Sequence, residues 1–249
     1  MQKVSVITMT YNDRLHLEMC VGRVLEQDYE NLEYIIVDGG STDGTKEFLA
    51  GLKERYGDKV RYVSEPDGGL YDALNKGICM ADGDIIGLMC DEFADEGVVS
   101  RMVATIEDEK TDGVHGNINY VSGDKVIRRW RMGQGSIRTG WMPGHPTLYL
   151  KKEVYETYGL YKTNYKIAAD YEFMIRILKD KNVKLSYMDE VLVNMFHGEE
   201  STSTGDFGSY IRSLKEGHRA LKENRVAFAW TVDVCRILRV LIQFVKKRG

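Results

Sequence analysis

Gly83-Asp84-Ile85-Ile86-Gly87-Leu88-Met89-Cys90-Asp91-Glu92 reads as a short buried strand, Ile85 to Leu88, that runs into two adjacent carboxylates. In an open α/β sheet, ligands gather outside the carboxyl ends of the strands. Two acids placed there can hold a hard divalent cation, and the cation can hold phosphate oxygens. A solvated strand end has the same local sequence, so the reading depends on what surrounds this stretch.

Upstream, strand and helix alternate. Val4-Ser5-Val6-Ile7-Thr8 is a compact apolar run that predicts a central strand. Thr10-Tyr11-Asn12-Asp13 is a polar loop in which Asn12 or Asp13 can cap the next helix. That helix runs from about Arg14 to Gln27, with Leu15, Cys20, Val24 and Leu25 expected to face the core. Leu32 to Val37 is a second strand ending at Asp38, followed by the turn-rich Gly39-Gly40-Ser41-Thr42-Asp43-Gly44-Thr45 and a helix with Phe48, Leu49 and Leu52 inward. Val60 to Ser64 is a third strand, broken by Glu65-Pro66-Asp67-Gly68-Gly69, and Tyr71 to Met80 a further helix. Such alternation predicts a mostly parallel, Rossmann-like α/β sheet with helices on both faces. The polar residues that end the strands then fall on one edge of the sheet.

Downstream the alternation is lost. Gly113 to Tyr120 and Lys125 to Arg131 read as strands joined at Ser122-Gly123-Asp124, a hairpin signal. Gly140-Trp141-Met142-Pro143-Gly144-His145-Pro146 is a loop, Thr147 to Leu150 a strand and Lys152 to Tyr158 a helix. Asp170 falls in the first turn of an amphipathic helix, where the helix dipole favours a carboxylate. Val191 to Phe196 is a last strand, followed by His197. From Phe207 the chain reads as helical. The boundaries predicted are a nucleotide-binding half over 1–100, a second half of the same domain over 101–205, and a helical extension over 206–249.

Composition narrows the functions. A net charge of −4 gives no basic field, which argues against a nucleic-acid partner. The four cysteines show no CxxC spacing, so a zinc site is not expected, and scattered thiols fit a reducing cytoplasm. Met1-Gln2-Lys3 runs straight into the first strand, which predicts a chain without a signal peptide. No stretch reaches the roughly 18 apolar residues of a spanning helix.

Several stretches together resemble the family 2 glycosyltransferases of GT-A fold. They are Ser5-Val6-Ile7-Thr8-Met9-Thr10-Tyr11-Asn12, Ile36-Val37-Asp38-Gly39-Gly40-Ser41-Thr42-Asp43-Gly44-Thr45, Ser64-Glu65-Pro66-Asp67, Tyr71-Asp72-Ala73-Leu74-Asn75-Lys76-Gly77, His145 in its loop, and Ala168-Ala169-Asp170-Tyr171. Each is weak alone; their order and spacing carry the likeness, which is nearest to bacterial exopolysaccharide and lipopolysaccharide enzymes, including a colanic-acid type. The resemblance implies a nucleotide-sugar donor, most often a uridine diphosphate sugar. Thr8 and Tyr11 would line the base pocket, Asp38 would accept from the base or ribose, and Glu65, Asp67 and Lys76 would edge the donor site. Asp91 takes the metal position, assisted by Glu92, with magnesium or manganese as the ion and His197 as a further metal or phosphate contact. Met89 stands where the family carries an acid or Asn. Asp170 matches the catalytic base of an inverting hexosyl or N-acetylhexosaminyl transfer, and Trp141 and His145 would shape the acceptor or sugar pocket. The implied acceptor is a saccharide or lipid-linked saccharide in cell-surface polysaccharide synthesis.

Two rival enzymes fit less well. A dehydrogenase needs a glycine fingerprint after its first strand, and Thr8-Met9-Thr10-Tyr11-Asn12-Asp13 has no glycine. A sugar nucleotidyltransferase lacks its glycine- and arginine-rich first loop here. A non-catalytic nucleotide-sugar binder stays open because of Met89. Val226 to Val245 carries Asp233, Arg236, Arg239 and Gln243 on one stripe and is followed by Lys246-Lys247-Arg248. This amphipathic helix predicts either an anionic membrane surface at the inner face of the cytoplasmic membrane or packing on its own domain or a homodimer partner.

Overall fold

Val4–Thr10 (β1), Leu32–Asp38 (β2), Val60–Ser64 (β3) and Ile85–Leu88 (β4) lie side by side in the order β3-β2-β1-β4, every pair parallel. The structure, a computed structural model, describes residues 1–123, 125–179, 181–196 and 207–245, with side chains omitted at 207 and 240–245. Arg14–Leu25 (α1), Thr45–Tyr56 (α2) and Leu70–Met80 (α3) connect the strands. β2 is buried at every position, as a strand covered on both faces must be. Val4, Val6, Tyr34 and Ile36 point to one face, beneath α1 and α2; Ile7, Ile35 and Val37 point to the other, beneath α3. Period-2 alternation thus divides one apolar run between two cores.

Leu15 corrects the sequence reading. It is exposed, and α1 buries Leu17, Cys20, Val21 and Val24 instead. With 3.6 residues per turn that set forms one stripe, and Leu15 falls off it.

Glu92–Phe93 (β5), Gly113–Ser122 (β6), Lys125–Trp130 (β7), Tyr149–Lys151 (β8) and Leu185–Phe196 (β9) extend the same sheet, in the path β3-β2-β1-β4-β8-β6-β9-β5 with β7 on β6. β8 runs antiparallel to β4 and β6, and β6 and β9 are parallel. Val98–Glu109 (α4), which the sequence reading passed over, covers the α1 face through Val99, Met102, Val103 and Ile106. Lys152–Tyr158 (α5), Ala169–Leu178 (α6), Phe207–Glu223 (α7) and Ala229–Val245 (α8) complete the chain. Helices therefore cover both faces of an α/β sheet. Glu172, fully buried on α6, meets Lys162 at 2.8 Å, Arg176 at 3.0 Å and Asn224 at 3.0 Å, which ties α6 to the end of α7.

Candidate active site

The carboxyl ends of β1, β2 and β3 open onto a cavity of about 490 Å³ whose walls include Thr10, Tyr11, Gly39, Pro66, Asp67 and Leu70. Tyr11 is 66% exposed and stands at its rim. A Cβ at Gly39 would lie 2.9 Å from Asp67 Oδ2 and 3.2 Å from the Tyr11 ring, so glycine keeps this space open. Asp67 Oδ1 accepts from the Gly69 N–H at 2.7 Å and leaves the other oxygen toward the opening.

Other strand-end residues are already engaged. Thr8 is buried; its hydroxyl donates to Met89 O and accepts from Tyr34 Oη at 2.8 Å. Asp38 is fully buried and accepts from Ser41 N at 3.2 Å, from the Ser41 hydroxyl and from Ser64 Oγ at 2.6 Å. A ligand in this cavity meets the loop that Asp38 pins rather than its carboxylate. Lys76 Nζ pairs with Glu65 at 2.9 Å and donates to Pro66 O at 3.3 Å, and Glu65 is the main cause that raises the lysine above its ordinary value.

Asp91 and Glu92 diverge. Successive residues of an extended chain point to opposite sides. Glu92 Oε1 accepts from Arg23 Nε at 3.1 Å and lines a separate cavity of about 520 Å³ between α1 and α4. Asp91 turns to the end of β9, where Oδ1 accepts from the Phe196 N–H at 3.1 Å. Burial pushes the Asp91 carboxyl above its ordinary value, opposed by that N–H and by nearby His16. His16 itself, from α1, meets Cys90 O at 2.6 Å. Met89 is wholly buried in the core, so its place offers a ligand no polar side chain. His197 lies outside the described residues.

The donor set at Asp91 fits magnesium or manganese. A half-buried carboxylate whose charge is disfavoured by desolvation is one that a bound cation would stabilise. Among the described residues no three His, Cys, Asp or Glu side chains converge as a metal cage. Such ions need none, since one carboxylate plus substrate phosphates and waters completes the shell.

Asp170 borders a second cavity, about 310 Å³, which it shares with Tyr120, His145, Met195 and Arg236. The Tyr71 hydroxyl donates to Asp170 Oδ1 at 3.2 Å and to Ile167 O at 2.7 Å. Burial, with Asp170 beside it, drives Tyr71 far above the ordinary phenol value, so it remains a donor. Its ring stacks on Tyr161 at 6.1 Å, and the Tyr161 hydroxyl meets His145 Nε2 at 2.8 Å. Burial pushes His145 down, against the pull of Asp170, which keeps the imidazole neutral. Asp91 lies close to this cavity without lining it: Phe196, whose N–H it accepts from, follows the lining residue Met195, and the charge of Asp91 acts on the lining residue Tyr120. α3 joins the two cavities, with Leu70 on the first and Tyr71 against Asp170.

Trp141 stands apart from this group. It is buried, its indole N–H donates to Met132 O at 3.0 Å, and its ring packs 5.4 Å from His115 on the wall of another cavity. The sequence reading missed Thr10, His16, Tyr71, Tyr161 and Arg236. Thr10 and Tyr71 stood within quoted motifs and Arg236 on the polar stripe of the last helix, and were legible there; His16 and Tyr161 gave no signal, because their partners lie far along the chain.

Strand ends that open onto a cavity of about 490 Å³, with Asp170 on an adjoining cavity and Asp91 close to it, make up the candidate site of this α/β protein. Residues 5–177 match the family described as Glycosyl transferase family 2, and the chain belongs to that family. It is 31% identical over 186 residues to an uncharacterized glycosyltransferase of Mycobacterium tuberculosis, covering 70% of this chain and 68% of that one. It is 28% identical over 208 residues to a PGL/p-HBAD biosynthesis glycosyltransferase of the same species, covering 80% and 79%. Among solved structures it resembles S. aureus TarS 1-349 in complex with UDP-GlcNAc, with TM-score 0.71 and 18% identity, over 90% of this chain and 66% of that one. It also resembles the mannosyltransferase PcManGT of Pyrobaculum calidifontis in complex with GDP-Man and Mn2+, with TM-score 0.62 and 20% identity, over 97% and 75%. The fold is the GT-A type that the sequence led us to expect.

Proposed function

We propose that this glycosyltransferase moves a hexosyl or N-acetylhexosaminyl group, with inversion, from a nucleoside diphosphate sugar to a hydroxyl of a saccharide or lipid-linked saccharide, in cell-surface polysaccharide synthesis of the exopolysaccharide or colanic-acid kind. The observation that carries this reading is Asp170, held by Tyr71 at a cavity whose lining residue Tyr120 feels the charge of Asp91. The base and ribose occupy the cavity bounded by Tyr11, Gly39 and Asp67, with uridine the preferred base and Lys76 and Glu65 at its edge. Thr8 and Asp38 act on the donor by holding Met89 and the Ser41 loop in place. Asp91 would hold magnesium or manganese, which would neutralise charge on the departing diphosphate. Glu92 and His197 are the remaining candidates for that ion, Glu92 only if released from Arg23.

Asp170 takes the proton from the acceptor hydroxyl as its oxygen bonds to the anomeric carbon. The bond from that carbon to the diphosphate oxygen breaks, and its electron pair leaves with the nucleoside diphosphate. Attack opposite the leaving group inverts the centre. His145 and Tyr161 shape the sugar side of the pocket, and Trp141 supports the loop that carries His145.

Among the described residues no helix is long and apolar enough to cross a membrane. α8 nevertheless turns Trp230, Val234 and Leu238 to solvent, one stripe at helical spacing, with Phe228 74% exposed at its head. Asp233, Arg236 and Arg239 reach the domain instead. We place this stripe on the cytoplasmic face of an anionic membrane, with exposed Lys222 and Arg225 beside it. Anionic vesicles should pellet the chain and not Trp230→Glu/Leu238→Glu; concentration-dependent dimerisation abolished by the same pair would instead assign the stripe to a second copy.

The catalytic reading is tested by incubating the chain with UDP- and GDP-sugars and Mn2+ and following diphosphate release and product configuration by NMR. Turnover lost in Asp170→Asn, with a product of inverted configuration, is expected. UDP binding without turnover of any sugar nucleotide would leave the non-catalytic binder.

A further inference from the structure

One wall of the Asp170 cavity comes from α8. Most of that helix's polar face is engaged on the domain: Asp233 Oδ2 meets His218 Nδ1 at 2.6 Å, and Arg239 Nε donates to Thr139 O at 2.8 Å. Arg236, between them, is placed differently. Its guanidinium carbon lies 4.4 Å from the centre of the Tyr171 ring, and it shares the cavity with Asp170 and His145. Its Nη1 is buried without a hydrogen-bond partner among the described residues. Tyr171 is 8% exposed; its hydroxyl makes no well-aligned hydrogen bond, but Arg236 lies close enough to oppose the rise that burial imposes on the phenol.

Gly217 of α7 makes room for the guanidinium, since a Cβ there would collide with Nη1. A Cβ at Gly140 would come within 2.5 Å of the Arg236 backbone nitrogen, so the close seating of α8 also requires glycine. Arg236 is half-buried, and a guanidinium nitrogen buried without an acceptor is costly. No ion pair joins Arg236 to Asp233 or Asp170 among the described residues. The cavity thus has among its lining residues a carboxylate and a planar cation packed on a phenol, the cation unpaired with any carboxylate among the described residues. A guanidinium suits a phosphate or carboxylate because its fork of N–H groups can bind two oxygens at once.

We infer that Arg236 and Tyr171 form an anion subsite for the acceptor, and that the acceptor is a saccharide bearing a phosphate or carboxylate close to the hydroxyl that Asp170 deprotonates. This deepens the transferase reading and rests on it. The anion can belong to the sugar or to a phosphorylated lipid carrier; the chemistry at Arg236 is the same.

Ligand-observed NMR tests it on the full chain with two pairs of probes: glucose 6-phosphate against glucose, and decyl phosphate against decyl glucoside. We expect the anionic member of at least one pair to bind about tenfold or more tightly. That preference should fall about tenfold in Arg236→Gln and by less in Tyr171→Phe. A preference confined to the decyl pair assigns the anion to a lipid carrier, and one confined to the glucose pair assigns it to the saccharide. No preference in either pair, or one undiminished in Arg236→Gln, overturns the inference. A cation that merely braces Tyr171 would weaken both members of a pair equally and leave their ratio unchanged. Should Arg236→Gln fail to fold, Tyr171→Phe and Arg236→Lys carry the ratio test. UDP binding is read on the same sample: its absence counts against the transferase reading, whereas anion preference lost with UDP bound counts against the subsite alone.

Discussion

Glu33 and Asp91 are two acids near opposite ends of one sheet, and the fold treats them oppositely. Glu33, at the amino end of the strands, is buried, and its carboxylate meets Lys3 at 2.8 Å, Ser5 Oγ at 2.5 Å, Asp82 N at 2.7 Å and Arg61 at 3.4 Å. Burial raises its carboxyl, and these partners together outweigh that effect and hold it below its ordinary value. Asp91, at the carboxyl end, has the Phe196 N–H and nearby His16, and burial prevails. A carboxylate saturated by its own chain stabilises the fold. One left with open lone pairs is costly unless a ligand completes it. Arg236 repeats the second pattern with the opposite charge.

Activity should separate the two ends most strongly. We expect Asp91→Asn and Asp170→Asn each to reduce sugar transfer by about 10²–10⁴-fold, while Glu33→Gln retains transfer wherever it is folded. Rates for all three, beside circular dichroism, check this. Near-normal transfer in Asp91→Asn would show that its open lone pairs serve no ligand.

Stability should reverse the order. Urea unfolding of Glu33→Ala is expected to lose about 3 kcal/mol, because Ser5 and the Asp82 and Gly83 amides lose their acceptor. Asp91→Asn should change unfolding by less than about 1 kcal/mol. Comparable losses at both positions would break the comparison.

Ligand linkage sharpens it further. Mn2+ with UDP at about a hundred times the dissociation constant should stabilise the chain by about 2.7 kcal/mol, visible as a rise in Tm. The manganese-dependent part should vanish in Asp91→Asn and persist in Glu33→Gln.

The smallest effect lies in the acid limb. Glu33 has a folded pKa below its ordinary 4.5, so its contribution is complete above about that pH and is lost as pH falls through the folded value. Asp91 has a folded pKa above its ordinary 3.8, so its charge opposes folding at neutral pH, and acidification through the folded value removes that opposition. Glu33→Gln should therefore flatten the acid loss of stability and Asp91→Asn should steepen it. Unfolding free energies across this range, with both variants tilting the limb the same way as the one failing outcome, decide the point.

Much of the architecture was legible before any coordinates. The strands β1 to β4 were readable because an apolar run between turn residues has few other uses, and α3 and α6 because their apolar stripes are clear. α4 carried an equally clear stripe at Val99, Met102, Val103 and Ile106 and was passed over. The site was legible as a set of strand-end polar residues, but not in its division of labour. Glu92 sits beside Asp91 in sequence and is drawn away by Arg23, 69 residues distant. Thr8 is spent on Met89, 81 residues away.

The sequence by itself determined the alternation of strand and helix, the edge on which polar residues gather, and the likeness to family 2 glycosyltransferases. The first two follow from periodicity and turn chemistry, which are local, and the likeness rests on the order and spacing of the motifs that resemble that family. Only the tertiary structure decided which of those polar atoms remain free, and which face of α8 looks inward. Hydrogen-bond partners and packing faces are supplied by residues far apart in the chain, and residue spacing carries no record of them.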